Sequence, residues 1–280
     1  MAEPAKTPDP ASDILKHYES VREEQRLQEG ASRLERVRTQ ELLTRYLPSP
    51  PGVVLDVGGG PGAHACWLAR QGYEVHLIDL VPLHVEQARG ASRAQPDHPL
   101  ASATVGDARK LQHAEASVDA VLLLGPLYHL TEREDRLQAW REARRVLRPG
   151  GTALGAAICR FASLLAGLAE GYLDDPEFAA IVERDLADGQ HRNLTNNPAY
   201  FTTAYFHRPE ELAAEIEGAG LRHDRTLAVE GPGWLLQNFD AHWSDPGRRE
   251  RLLGAIRSLE NEPSILGASA HLLAVARRDS

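Results

Sequence analysis

Val54-Leu55-Asp56-Val57-Gly58-Gly59-Gly60-Pro61-Gly62 is the stretch that decides the fold of this 280-residue chain. Residues 53–57 read as a strand buried on both faces, an apolar run that carries an acid near its end. The glycines that follow open a helix. Glycine suits a place where backbone must approach a ligand with no Cβ in the way. The helix N-terminus behind it offers free N–H groups to an anion. A tight strand-to-helix turn with no ligand is the plainer account, but four glycines in five positions weigh against it. By itself the motif does not choose between nucleotide cofactors.

Working outward, strands and helices alternate. A helix is expected over residues 63–71, ended by Gly72, then a strand over 73–80 and helical residues 85–89 after Pro82. A short strand follows at 103–105 and an apolar one at 118–124. Thr131-Glu132-Arg133-Glu134 reads as a capping box opening a helix with Leu137, Trp140 and Leu147 on its buried side. Pro149-Gly150-Gly151 stops that helix, and residues 152–159 form a fifth strand. Residues 161–206 break the rhythm and read as two helices plus an aromatic-rich loop, with Asp175-Pro176 as a helix start. The alternation resumes with a helix at 208–219, a strand at 221–229, a helix from Asp245-Pro246 carrying Leu252, Ile256 and Leu259, and a last strand at 271–277. On the N-terminal side a helix starts near Ser12 or Asp13, with Ile14, Tyr18 and Val21 at helical spacing, and Gly30 breaks it. A second helix runs through Leu34, Val37, Leu43 and Leu47 until Pro48. The order implies a parallel, doubly wound sheet with its site at the strands' C-terminal edge.

Three features outside the glycine turn narrow the choice. Asp79 ends the second strand, where a carboxylate can accept both hydroxyls of a ribose. Asp107, in Gly106-Asp107-Ala108, follows the third strand, where an acid can accept from an adenine amino group. Arg148-Pro149-Gly150-Gly151 precedes the fifth strand. Singly, each acid is as well explained as a loop residue or helix cap. As a set, in register with the strand order, they resemble the motifs of class I S-adenosylmethionine (SAM)-dependent methyltransferases over about residues 47–220.

That resemblance implies an α/β, doubly wound, Rossmann-like seven-stranded sheet with an antiparallel last strand, N-terminal helices and a helical lid insert. The implied organisation is an N-terminal helical cap (1–47), a SAM-binding core (48–160), the lid (161–206) and the remainder of the core with its last two strands (207–280). It also implies roles by position. Gly58, Gly60 and Gly62 would approach the methionine part of SAM. Asp56 would orient that loop and face the cofactor's amino group, directly or through water. Asp79 would hold the ribose, Leu80 would cover the adenine, and Asp107 with Ala108 would read the adenine edge. Leu124 and Gly125 would line the floor under the sulfonium.

Within the family the chain looks like the small-molecule group of quinone and natural-product enzymes, which often carry an N-terminal helix across the cofactor. Tyr18 sits where such a helix would place a cofactor-facing ring; a half-buried aromatic on an amphipathic helix accounts for it as well. Gly125-Pro126-Leu127-Tyr128-His129 lacks the Asp/Asn/Ser-Pro-Pro-aromatic run of amino-methylating nucleic-acid enzymes and the Pro-Cys of cytosine C5 enzymes. His129, with Tyr128, is the candidate catalytic position, either as a general base or as a residue that steadies the loop by packing and hydrogen bonding. His191 and Tyr200 in the insert, and Glu230 and Trp234 in the turn after the sixth strand, are candidate substrate contacts; a lid core and a structural turn are the competing accounts.

Composition fits this. Formal net charge is −9, and the few lysines (Lys6, Lys16, Lys110) form no patch, so no nucleic-acid partner is expected. Cys66 and Cys159 match no metal-ligand spacing, and no metal is expected. No apolar run spans a bilayer and no signal peptide is evident, so a cytoplasmic location is expected. The partner would be a small-molecule methyl acceptor, with monomer and homodimer both open. Two other classes remain. Gly58-x-Gly60-x-x-Ala63 also resembles a dinucleotide turn of an oxidoreductase, and a SAM-binding protein without transferase activity would carry the same motifs.

Overall fold

The structure is a computed structural model that describes residues 14, 16–18, 23–195 and 197–280. The expected helix start at Ser12 or Asp13, and Val21, lie outside the described residues; Ile14 and residues 16–18 are helical. Helix α1 (Ser32–Tyr46) buries Leu34, Leu42 and Leu43. Strands β1 (Val53–Val57), β2 (Glu74–Asp79), β3 (Ser102–Val105), β4 (Val118–Leu123) and β5 (Leu147–Cys159) are mutually parallel, in the order β3-β2-β1-β4-β5. Helices α2 (Ala63–Arg70) and α3 (Pro82–Arg93) make the β1–β2 and β2–β3 crossovers. A short helix α4 (Pro126–His129) and α5 (Arg133–Val146) join β4 to β5.

Alternation along each strand feeds two cores. Leu55, Val57, Val121 and Leu123 pack with Trp140 of α5, whereas Val54, Leu77 and Leu122 pack with Leu43, Leu68 and Val85 on the other face. The strand order reverses between β1 and β4, so a crevice opens beyond their C-terminal ends, where helices leave in opposite directions.

Past β5, helices α6 (Ala162–Glu170) and α7 (Pro176–Asp188) form the insert, and the Asp175 side chain caps α7 by accepting from the Glu177 N–H. The insert then returns as strands. β6 (Gln190–His191) pairs antiparallel with β7 (Ala204–His207), and β7 runs parallel to the end of β5 through Ile158–Phe206 and Cys159–His207. Helix α8 (Pro209–Gly218) leads to β8 (Arg222–Ala228); α9 (Phe239–Ser244) and α10 (Pro246–Leu259) precede β9 (His271–Arg277). β9 lies antiparallel between β5 and β8. The seven expected strands are thus present, and β6 and β7 extend them to a nine-stranded sheet.

Three local expectations need correction. The capping box does not form: Glu132 is the N-cap of α5 without a side-chain hydrogen bond, while Thr131 turns inward and its carbonyl accepts from Arg136. Acids in the first turn, Glu134 and Asp135, favour that helix end through its dipole instead. Leu147 opens β5, paired with Val118, rather than closing α5. Helix α3 also runs past residue 89 to Arg93.

Candidate active site

The glycine turn is held from below by one carboxylate. Asp79, at the end of β2, accepts the Gly60 N–H on Oδ2 (2.8 Å) and the Val81 N–H on Oδ1 (2.8 Å), with His84 Nδ1 at 3.2 Å from Oδ1. The backbones leaving β1 and β4 nearly touch: a Cβ on Gly125 would lie 2.6 Å from the Gly58 carbonyl oxygen. Gly60, by contrast, has φ +55° and nothing within 4 Å of the place a Cβ would take. The turn therefore presents bare backbone to open space.

That space is a cavity of about 580 Å³ lined by Tyr18, Gly58, Gly60, Asp79, Leu80, Gly106, Asp107, Ala108, Gly125 and His129. All the residues assigned to ribose and adenine converge there. Leu80 is 43 % exposed, an apolar face turned to the opening. Asp107 is partly engaged already. Arg109 donates to it from the backbone (2.8 Å) and from Nη2 (2.6 Å), and also reaches Asp135. Burial pushes the Asp107 carboxyl up, but Arg109 outweighs it and holds the group below its ordinary range.

A second cavity of about 680 Å³ lies on the other side of the turn, lined by Asp56, Leu124, Gly125, His64, Glu35 and His271 among others. Asp56 is buried, and neither of its carboxylate oxygens has a hydrogen-bond partner among the described residues. Burial first, then the charge of Asp79, push it up to about 7. Such an orphaned carboxylate is costly unless something meets it. Asp56 lies under Gly59, where a Cβ would be 2.7 Å from Oδ2, and so meets the loop by close packing.

Tyr18 and His129 meet where the first cavity joins a third. The Tyr18 hydroxyl is 2.7 Å from His129 Nε2, and His129 Nδ1 makes a long contact of 3.5 Å to the Thr203 carbonyl. A carbonyl only accepts, so the proton belongs on Nδ1 and Nε2 accepts from Tyr18. Burial pulls the His129 pKa down to about 4, and burial also drives the Tyr18 hydroxyl well above its ordinary value. The imidazole is neutral, occupied and weakly basic, which matches the hydrogen-bonding account of His129 rather than a base waiting for a proton. Tyr128 lines all three cavities.

The third cavity, about 590 Å³, is lined by Phe178, Tyr200, Phe201 and Phe206 of the insert, by Ile158 of β5 and by Trp234, with Glu23, Arg26 and Glu29 adding charged groups. His191 lines it, yet both ring nitrogens are spent within the insert, Nδ1 on Asp185 (2.8 Å) and Nε2 on the Tyr200 carbonyl (2.8 Å). Tyr200 donates its hydroxyl to Asp175 (2.6 Å) and packs on Phe178. Both present ring surface to the cavity. Trp234 borders it while its Nε1 donates to Ala268. Glu230 is buried and holds His271 Nδ1 at 2.6 Å.

His271, Glu35 and Arg26 are absent from the sequence-predicted site. Arg26 binds Glu35 with both terminal nitrogens (2.6 and 2.9 Å), and Glu35, Glu230 and His271 bring one ligating atom each within 4.8 Å of one another. Burial opposes a charged His271 ring, but Glu230 and then Glu35 outweigh it and raise its pKa to about 9. The only signal available in the sequence was a titratable residue at the first position of an antiparallel strand, which enters the sheet from its functional edge.

Residues 54–151 match a protein family described as a methyltransferase domain. The methyltransferase GfsG of Streptomyces halstedii is 36% identical over 114 residues, 40% of each chain. The ubiquinone/menaquinone biosynthesis C-methyltransferase UbiE of Caulobacter sp. (strain K31) is 33% identical over 115 residues, 38% of this chain and 44% of that one. The matches thus span less than half the length of these relatives. Among solved structures, a SAM-dependent methyltransferase from Methanosarcina mazei superposes with a TM-score of 0.57 at 19% identity, over 85% of this chain and 97% of that one, a likeness of fold. No helix among the described residues is long and apolar enough to cross a membrane.

Proposed function

We propose that residues 54–151, which match a family described as a methyltransferase domain, are a class I, SAM-dependent methyltransferase domain, and that the chain moves a methyl group from SAM to a small, largely apolar metabolite. The observation that carries the reading is the pairing of a bare turn at Gly60 with the unpartnered, buried carboxylate of Asp56 beside it. An ammonium group meets that carboxylate's need, and a ligand's chain can lie against the turn without a clash.

When bound, SAM supplies an electrophilic methyl group on a sulfonium. The protein binds, aligns and dries the site. Asp56 takes the cofactor's amino group. Asp79 keeps the turn in shape through Gly60 and has acceptor capacity left for ribose hydroxyls. Leu80 packs on the adenine, Asp107 and Ala108 meet its edge, and Leu124 and Gly125 floor the transfer point. Tyr128 stands where cofactor and acceptor cavities meet. Phe201, Phe206 and Trp234 offer an acceptor an apolar wall that keeps water from the reacting atoms. A relative named for ubiquinone/menaquinone biosynthesis supports a small-molecule acceptor.

Thermal-shift and calorimetric titrations with S-adenosylhomocysteine (SAH) and with NAD test the cofactor. Micromolar-range binding of SAH without NAD binding is expected; the reverse would return the chain to the oxidoreductases. Mass-spectrometric turnover of an apolar metabolite panel separates a transferase from a SAM-binding protein without activity.

A further inference from the structure

The cavity walled by the insert is unevenly polar. Its acids and its arginine, Glu23, Arg26 and Glu29, all come from the segment before α1, and Arg26 is already paired there with Glu23 (2.8 Å) and Glu35 (2.6 Å). The part built by α6 carries no charge. That helix contributes Ala162, Ser163 and Ala166, whose spacing puts them on one helical face. Gly167, one turn on from Ser163, makes room for another lining residue, Phe178: a Cβ on Gly167 would lie 2.8 Å from the Phe178 ring. The wall beside Ser163 is therefore aromatic.

Ser163 is the polar residue on this face. It is 7 % exposed, and its Oγ makes no hydrogen bond among the described residues. A helical serine commonly quiets its hydroxyl on the carbonyl four residues back. For Ser163 that residue is Cys159, the last of β5, so the usual partner within the helix does not exist. A buried hydroxyl without a partner is costly. It also turns about a single bond between three staggered positions. The Ser163 hydroxyl can thus follow a group that enters the cavity, with no existing bond to give up.

The helix end fixes which kind of group. Ser163 is the second residue of α6, and the N-cap residue Phe161 gives that end no side-chain hydrogen bond. The positive end of the helix dipole is left without a countercharge beside the hydroxyl. Such a field favours an electron-rich oxygen over an N–H group or a cation.

We propose that Ser163 is a binding residue that selects the methyl acceptor by donating its hydroxyl to a ring carbonyl, so that the acceptor is a neutral ring ketone that packs on the aromatic wall around Phe178. The inference rests on the methyltransferase reading above. A neutral carbonyl only accepts and needs no countercharge, which suits the uncharged part of the cavity. Tyr128 borders this cavity and the two beside the glycine turn, whereas Ser163 borders this one alone. The carbonyl is held at Ser163, and the atom that receives the methyl group lies toward Tyr128.

The test uses 1-tetralone and tetralin, which share a two-ring frame and differ by a carbonyl in place of a methylene. Their affinities are read by ligand-detected NMR titration on the full chain, with and without saturating SAH. The wild type should hold the ketone at least as tightly as the hydrocarbon. Ser163→Ala should shift that ratio about fivefold or more toward the hydrocarbon, the loss of one neutral hydrogen bond, and leave tetralin affinity unchanged. SAH affinity equal to that of the wild type checks the variant's fold. Urea unfolding without ligand should find Ser163→Ala at least as stable as the wild type, because no bond within the protein is lost. An unchanged ratio in Ser163→Ala, equal weakening of both probes, a destabilised variant, or no binding of either probe to the wild type overturns the proposal. Failure of SAH to bind the wild type overturns the methyltransferase reading separately, and the titration without SAH still judges Ser163.

Discussion

Replacing Asp56 with asparagine should move stability and cofactor affinity in opposite directions. The carboxyl is fully buried, has no partner on either oxygen, and is pushed from its ordinary value of 3.8 to about 7 by burial and by Asp79. The sign follows from proton counting. A carboxyl whose folded pKa lies above its unfolded one binds protons more tightly in the fold. Stability is therefore undiminished below about pH 4, falls as pH rises from there toward about 7, and levels off above. At about 1.4 kcal/mol per pH unit over that window, the full loss is about 4 kcal/mol. Water entering the adjoining cavity relaxes part of it, so about 2 kcal/mol or more is expected at pH 8. An asparagine side chain at this position cannot ionise and escapes the loss. Urea unfolding without ligand should find Asp56→Asn more stable than the wild type by that amount at pH 8 and close to it at pH 4.5. The same variant should bind SAH roughly tenfold to a hundredfold more weakly, because a charge-assisted contact to the amino group is gone. Wild-type SAH affinity should also rise with pH up to about 7, as the carboxylate forms. A variant whose stability difference is the same at both pH values, or that binds SAH as tightly as the wild type, refutes the account of this residue.

Asp79→Ala should weaken SAH about tenfold or more by calorimetry, since it removes a ribose acceptor and the brace on the Gly60 N–H together; unchanged affinity sinks the assignment. Asp107→Ala should weaken SAM while an analogue lacking the adenine amino group binds variant and wild type alike, and equal losses for both ligands would dismiss Asp107 as the adenine reader. Amides in residues 190–195 and 197–206 should gain hydrogen-exchange protection when SAH and an acceptor bind together; protection confined to the turn around Gly58 would mean that the insert is not a lid.

The parts of this molecule that a reader of the sequence could see are those fixed by short-range pattern. Residues 53–57 had to be a buried strand because an apolar run meets a glycine turn, and β1 has those bounds. Asp79 and Asp107 were visible because their places after β2 and β3 follow from strand order, and both line one cavity. What escaped had no local pattern to carry it. β6 has two residues and β7 four, too short to display a period, and they form only because Arg160 and the end of β5 offer them partners. The capping box failed through a distant residue too: Arg136 claims the Thr131 carbonyl while its guanidinium is held by Glu215 of α8.

The same distinction runs through the site. The cofactor half of the crevice is built by residues that leave consecutive parallel strands, so sequence order reproduces spatial order. The far side of the glycine turn is assembled from both ends of the chain. Glu35 of α1 and Arg26 before it meet His271 at the start of the last strand, and Glu230 from another turn fixes its ring. No spacing rule links these positions; closing β9 between β5 and β8 does. Glu230, an acid in a sharp turn at the functional edge, reads from sequence as a substrate contact. Its carboxylate is spent on Ser269 and His271. The aromatic wall of the insert and the glycine turn come from different elements and meet at a few side chains, Tyr18 and Tyr128 among them, so the proposed cofactor and acceptor sites are built by separate parts of the chain.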